Sequence, residues 1–161
     1  MSAVHPDTLA ALTSGIQSEV ASYVFYIEAA KKVEDSELRE SLKQLAGEEK
    51  DHFQILERQY DSLVRSEKWI STADVLMQNG LPEIDEEMTQ QHRQLIDEVA
   101  GTETVGSILE IALRLEEEAR DLFTQAAARS ESDEGRQMFE RLSKFEEGHV
   151  GLIRQMISRF G

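Results

Sequence analysis

The sequence has no cysteine and only 2 prolines among its 161 residues. Without cysteine, the chain cannot form a disulfide framework, a thiolate-bound zinc or iron–sulfur site, or a cysteine nucleophile. Proline breaks helices, so its scarcity favours helical structure, as does the abundance of Ala, Leu, Glu, Gln, Lys and Arg. The composition therefore predicts an all-α protein.

Basic residues and long apolar runs are also scarce. The 17 Lys and Arg face 32 Asp and Glu, and the resulting net charge of −15 argues against nucleic acid or an anionic membrane as a partner. This charge is compatible with attracting cations. No apolar run reaches the roughly 18 residues of a membrane span, and the N-terminal stretch MSAVHPDTLAAL lacks the pattern of a secretory signal. We therefore expect a cytoplasmic protein.

Four long segments carry apolar residues at helical spacing. With 40% hydrophobic residues the chain can bury a core, and its length suits a single domain over residues 1–161. The predicted helices run from about Asp7 to Val33, from Asp35 or Ser36 to about Ser66, from about Val105 to Arg129, and from about Asp133 to Arg159. Short turns make them two antiparallel hairpins, over about 7–66 and 104–160.

The segment between the hairpins has a different composition. It contains Trp69, the turn signal Asn79-Gly80 and Pro82, which indicate a loop and a fresh start. A shorter helix is predicted from Glu83 to about Val99, and Thr102 or Thr104 can cap the helix that follows. Two antiparallel hairpins joined by such a long crossover predict a four-helix bundle.

An internal repeat places ionisable residues on the apolar faces of all four long helices. Shifting the sequence by 97 positions aligns the two hairpins without a gap, and each then reads Glu followed, thirty residues on, by Glu-x-x-His. Glu19 falls on Glu116, Glu49 on Glu146, and His52 on His149.

Four carboxylates facing one core require neutralisation. A buried carboxylate is costly unless it is paired, and four together repel one another. Two divalent cations balance the charge, with Glu49 and Glu146 as predicted bridges and one histidine on each ion. Glu19 and Glu116 would then be terminal ligands. Mixed carboxylate and imidazole donors suit iron or manganese, and zinc remains possible. The alternative is a bundle with a polar layer in its core.

These residues resemble the rubrerythrin branch of the ferritin-like superfamily. The resemblance rests on Glu19 with Tyr26 seven residues on, and on the motifs EEKDH, LEEEARDLF and FEEGH, and it covers about Leu9 to Phe160. It implies a ferritin-like four-helix bundle, a homodimer, and a di-iron centre that reacts with hydrogen peroxide or dioxygen. The ligands it implies are Glu19, Glu49, His52, Glu116, Glu146 and His149. Tyr26 matches the family tyrosine that hydrogen-bonds near the metals, and its repeat counterpart is Phe123.

The sequence departs from the family pattern in two respects. Full rubrerythrins carry a cysteine-ligated rubredoxin domain, so a chain without cysteine needs an external electron donor such as a rubredoxin-like protein. Rubrerythrins also have an additional glutamate three residues from the equivalent of Glu116, where this sequence has Leu113 and Ala119. The absence of that carboxylate argues against the peroxidase cycle of the family, but it leaves the six predicted ligands in place.

Three functions are compatible with these observations. The first is an oxidoreductase, peroxidase-like or ferroxidase-like, that protects against oxidative stress. The second is an iron-binding protein in which oxidation serves iron storage or handling, and the third is a structural bundle in which the metal is only a staple. His5 and His92 have no counterparts in the repeat, and we expect them at the surface.

Overall fold

Seven helices make up the protein in a computed structural model, which describes residues 4–161. They are α1 (Pro6–Lys32), α2 (Ser36–Ser66), α3 (Thr72–Leu76), α4 (Glu86–Gln90), α5 (Arg93–Ala100), α6 (Val105–Arg129) and α7 (Asp133–Phe160). The four long helices α1, α2, α6 and α7 confirm the predicted all-α bundle. None of the helices within residues 4–161 is both long and apolar enough to cross a membrane.

The long helices pair as two hairpins, α1 with α2 and α6 with α7. Asp35 caps α2 by accepting a hydrogen bond from the backbone N–H of Leu38 (2.9 Å), and Thr104 caps α6 through the N–H of Ser107 (3.1 Å). Such caps satisfy backbone donors that have no partner inside the helix. Each cap is one of the two residues that the sequence offered for that position.

The crossover differs from its prediction. The single helix expected from Glu83 to Val99 is broken at Gln91 and His92 into α4 and α5, and α3 was not predicted at all. Met88 of α4 and Ile96 of α5 both pack against an apolar patch on α1 and α2, whereas Val99 lies in a separate cluster. The break allows the two short helices to follow the surface of the first hairpin, a tertiary effect that local sequence does not encode.

Apolar clusters occupy both ends of the bundle. One is built around Phe25, Leu45 and Leu109, and the other around Leu56 and Phe123. Along α2, Leu45 belongs to the first cluster and Leu56 to the second, so residues 49–52 lie between them. The fold therefore isolates the middle of the bundle from solvent at both ends.

Trp69 covers one end of the second cluster and limits the space at Gly135. Its ring lies 6.3 Å from that of Phe139, and a Cβ added to Gly135 would lie 2.7 Å from Trp69 Cζ2 and 2.8 Å from the Oγ of the N-cap Ser132. We expect Gly135→Ala to lower the free energy of unfolding by about 1–3 kcal/mol, as overpacking does. Denaturant unfolding measures this loss.

The control is Gly151→Ala on the same helix. A Cβ at Gly151 meets nothing within 4 Å, so alanine should stabilise this helix by up to about 1 kcal/mol through its higher helix propensity. Equal effects of the two substitutions would contradict the packing assigned to Trp69.

Candidate metal centre

The six residues predicted from the repeat converge between the apolar clusters. One comes from α1, two from α2, one from α6 and two from α7. All four carboxylates are completely buried, and the two histidines are 3% and 6% exposed. The residues are Glu19, Glu49, His52, Glu116, Glu146 and His149.

The side chains form two overlapping groups, each able to bring four ligand atoms within 4.8 Å of one another. The first group is Glu19, Glu49, His52 and Glu146, and the second is Glu49, Glu116, Glu146 and His149. Glu49 and Glu146 belong to both. Each group therefore holds one histidine and one carboxylate of its own, joined by two shared carboxylates.

The histidine Nδ1 atoms point into these groups. His52 Nδ1 lies 3.1 Å from Glu146 Oε1, and His149 Nδ1 lies 2.8 Å from Glu49 Oε1. The contact of His149 Nδ1 is short, but it does not have the geometry of a hydrogen bond. The two imidazole rings stack with their centroids 6.1 Å apart.

Several buried oxygens of the cluster have no hydrogen-bond partner. Both oxygens of Glu19 and of Glu49 are in this state, as is one oxygen each of Glu116 and Glu146. Leaving a buried polar atom unsatisfied costs about 1–3 kcal/mol, and more when it is charged. Such a set of inward-facing oxygen and nitrogen donors fits metal cations, which take lone pairs without needing hydrogen-bond donors.

The electrostatics of the cluster explain why it needs positive charge. Burial, reinforced by neighbouring carboxylates, raises the pKa values of Glu19 and Glu49 well above their usual range. Burial and Glu49 raise the pKa of Glu116 to about 10. Burial alone would also raise the pKa of Glu146, but its close contacts with Glu116 and with both histidines outweigh burial and keep that pKa low. Without cations, the carboxyl groups therefore cannot all be ionised near neutral pH.

Neighbouring basic residues do not supply this charge. Arg120, the basic residue that the sequence places nearest the cluster, binds Asp121 at 3.0 Å and Glu147 at 2.9 Å, both of which are exposed. Burial lowers the histidine pKa values, but their carboxylate neighbours more than offset it and raise the pKa of His52 and of His149. Histidine protonation adds at most two positive charges against four carboxylates.

Tyr26 lies beside the cluster, as the sequence predicts. Its hydroxyl donates a hydrogen bond to Glu116 Oε1 at 2.6 Å, and the side chain is 1% exposed. Burial, together with Glu116, raises the pKa of Tyr26, so the phenol stays protonated and remains a donor. This bond holds one oxygen of Glu116 and leaves the other free.

Sequence reasoning missed one contact, that of Glu48. Its Oε2 lies 3.2 Å from His149 Nε2, within hydrogen-bonding distance. Comparison of the two hairpins excluded Glu48 from the predicted ligands because its counterpart is Phe145. This difference between the hairpins was the one sequence feature that could have drawn attention to Glu48. Ala119 is buried and, like Leu113, offers no carboxylate, so the additional glutamate typical of full rubrerythrins has no replacement at these positions.

The two unmatched histidines lie outside the cluster. His5 is exposed and caps α1, its Nδ1 accepting the backbone N–H of Asp7 at 3.1 Å. His92 was expected at the surface, but the crossover half-buries it beside Met88 and Tyr60. Neither residue belongs to the two groups described above.

An all-α bundle with one long crossover and a buried glutamate–histidine cluster is the architecture of the ferritin-like carboxylate proteins. The sequence matches the family model described as Rubrerythrin over residues 10–157. Because this match spans nearly the whole chain, the chain belongs to the rubrerythrin family. This match confirms the resemblance to rubrerythrins that the sequence motifs indicated.

Two further comparisons concern individual proteins. Comparison with curated protein sequences finds no match. Among solved structures, a hypothetical protein from Pyrococcus furiosus is similar, with a TM-score of 0.65 and 18% identity over 94% of this chain and 90% of that chain. At this level of identity the similarity establishes the fold alone.

Tyr26→Phe tests the hydrogen bond to Glu116. The substitution removes only the hydroxyl and leaves Glu116 Oε1 buried without its donor, so we expect metal-free protein to lose about 1–3 kcal/mol of unfolding free energy. Denaturant unfolding of the chelator-treated protein measures the loss. Tyr60→Phe, at a partly exposed tyrosine, is the control, and an equal effect there would contradict the role of Tyr26.

Metal-free protein should lose stability as the pH rises from about 4.5 toward about 10. Glu19, Glu49 and Glu116 have raised pKa values, so the folded state keeps protons that the unfolded state releases above the usual glutamate pKa of 4.5. Their stabilising contribution is therefore complete below that value and is lost as the pH rises. The raised histidine pKa values act in the same direction above 6.5. Glu146, with its lowered pKa, acts in the opposite direction.

Thermal unfolding of chelator-treated protein at a series of pH values measures this loss. The control is the variant Glu19→Gln/Glu49→Gln/Glu116→Gln, which keeps the same surface charges but has no raised carboxyl pKa at these positions. Its midpoint should fall much less with pH than that of the wild type. Parallel curves would assign the pH dependence to the acidic surface instead.

Proposed function

We propose that the buried cluster binds two iron ions and carries out redox chemistry with hydrogen peroxide or dioxygen. One observation carries the proposal: two four-residue groups share Glu49 and Glu146, and most of their oxygens are buried without partners. In this assignment Glu49 and Glu146 would be shared by both ions, and Glu19 and Glu116 would each be a ligand of one ion. His52 and His149 bind one ion each. Manganese or zinc could occupy the same donors.

The bound ions would supply electrons and Lewis acidity to the oxidant. The chain's own contribution is a fully buried set of ligands that are already in place. Because all four carboxylates are fully buried, each ion would exchange its water shell for fixed protein donors. The unpartnered oxygens of Glu19 and Glu49 are held by no hydrogen bond, so these carboxylates can change their mode of binding as the charge on the ions changes. Tyr26 keeps Glu116 oriented through the bond to its Oε1.

Turnover would also require a source of electrons, because the chain has no cysteine with which to hold a rubredoxin centre. We propose that a separate protein, such as a rubredoxin-like donor, reduces the site. The strongly acidic composition favours neither nucleic acid nor an anionic membrane as a partner. A homodimer and a cytoplasmic location, both expected from the sequence, complete the proposal, whose physiological outcome would be protection from oxidants.

A titration of metal-free protein with Fe(II) under anaerobic conditions, followed by peroxide or dioxygen, tests the proposal. We expect about two irons per chain, rapid consumption of oxidant and the absorption of a ferric product. Uptake of many irons per chain would instead support iron storage. Tight binding without reaction would support a metal that acts only as a structural staple.

A matched pair of variants tests whether the buried carboxylates hold the iron. Glu116→Gln removes one proposed ligand, and Glu118→Gln removes the same charge from an exposed position two residues away. We expect Glu116→Gln to weaken iron binding at least tenfold, as loss of a direct ligand exceeds the roughly 10–100-fold effect of its supporting residues. Glu118→Gln should bind iron as the wild type does. Equal affinities for the two variants would refute the assignment of the ligands.

A further inference from the structure

One pair of residues related by the repeat makes equivalent contacts with different chemistry. Glu48 and Phe145 are 97 positions apart, and each precedes a glutamate of the cluster. In the structure each contacts the histidine of the opposite hairpin. Glu48 Oε2 lies 3.2 Å from His149 Nε2, whereas the Phe145 ring lies 4.9 Å from the His52 ring at an interplanar angle of 79°.

These contacts give the two histidines different properties as ligands. With Nε2–H donating to the Glu48 carboxylate, His149 is fixed in orientation and keeps its Nδ1 lone pair for the cluster. A carboxylate that accepts this hydrogen bond also makes the imidazole a stronger donor to a metal. Phe145 packs against His52 but offers no anionic acceptor. The shared position therefore supports one histidine electrostatically and the other only by packing.

The contact made by Tyr26 differs between the two groups in the same way. Tyr26 donates to Glu116, which belongs to the same group as His149, whereas the repeat counterpart of Tyr26 is Phe123. The counterpart of Glu116 is Glu19, and both of its oxygens lack a partner. Glu116 and His149 thus each have an outer hydrogen bond, whereas the repeat counterparts of the residues that make these bonds are Phe123 and Phe145.

A small cavity lies on the side of His52. Its volume is about 110 Å³, and its lining includes His52, Phe145 and Leu76 as well as Glu48. Phe145, which packs against His52, is 48% exposed beside this cavity, and the side chain of Glu48, which contacts His149, is 37% exposed. Both residues of the pair therefore line one partly exposed cavity, and they differ in charge.

We propose that Glu48 and Phe145 make the two metal positions unequal, so that the position at His149 binds a cation first and more tightly than the position at His52. This inference rests on the proposed function, because it concerns how the same cluster takes up its two ions. Glu48 acts as a positioning residue through His149.

Stepwise loading of metal-free protein with Co²⁺ or Zn²⁺ tests this inequality without any turnover. Co²⁺ absorption reports the two binding steps, and ¹H–¹⁵N spectra of histidine-labelled protein show which imidazole responds to the first equivalent of Zn²⁺. We expect His149 to respond before His52 in the wild type. Simultaneous response of both histidines, with a single binding step, would overturn the inequality.

Exchanging the two side chains assigns the cause. Glu48→Phe should weaken the first binding step by about 10–100-fold, as the loss of a ligand's hydrogen-bonded carboxylate does, with little change in the second step. Phe145→Glu should strengthen the second step, and the double exchange Glu48→Phe/Phe145→Glu should make His52 respond first. Both positions are partly exposed, so these variants should fold. Unchanged order in the double exchange would overturn the role of this pair.

Two more variants separate charge from hydrogen bonding and from surface effects. Glu48→Gln keeps an acceptor oxygen and should recover part of the affinity lost in Glu48→Phe. Glu40→Phe makes the same change at an exposed site on the same helix and should leave both steps unaltered. If no variant and no wild-type protein binds two cations, the proposed function itself fails. If two cations bind equally well in all variants, only the inequality fails.

Discussion

The burial of four carboxylates in one layer of an apolar bundle is the constraint on which the rest of the structure depends. Each is fully buried, and this burial, together with repulsion between the carboxylates, raises the pKa values of three of the four. A core of this kind is costly on its own because two histidines cannot balance the charge of four buried carboxylates. The apolar clusters on both sides shield the layer from solvent. Because the carboxylates are shielded, positive charge from bound cations would stabilise them strongly.

The repeat solves this problem with two similar hairpins, yet it does not give two identical halves. Glu49 and Glu146 take symmetric places, shared between both groups of donors. Around them, Glu48 and Tyr26 come from the first hairpin and act on residues of the second, and their counterparts are phenylalanines. The candidate ligands are therefore the same in both hairpins, whereas the residues that contact those ligands differ.

The sequence was sufficient to predict the four long helices and the six converging residues, because both follow from local rules. A helix with 3.6 residues per turn puts Glu49 and His52 on one face, and the repeat confirms which of two adjacent glutamates faces inward. The contact of Glu48 with His149 was not predictable in the same way, since it depends on how far one hairpin is shifted along the other. The break at Gln91 and His92 likewise follows from packing on the first hairpin, and helical periodicity alone continues through it.

Without cysteine, the chain cannot join distant segments by a disulfide, but a bound metal ion could join them instead. Contacts within the crossover bundle are mostly made inside each hairpin, and the residues that meet at the cluster come from both. An ion at the proposed centre would join Glu19 to Glu146 across most of the chain's length, closing a loop much as a long-range disulfide does. Closing such a loop removes conformational entropy from the unfolded chain. The cluster would then be a reversible cross-link, made or released by the supply of metal.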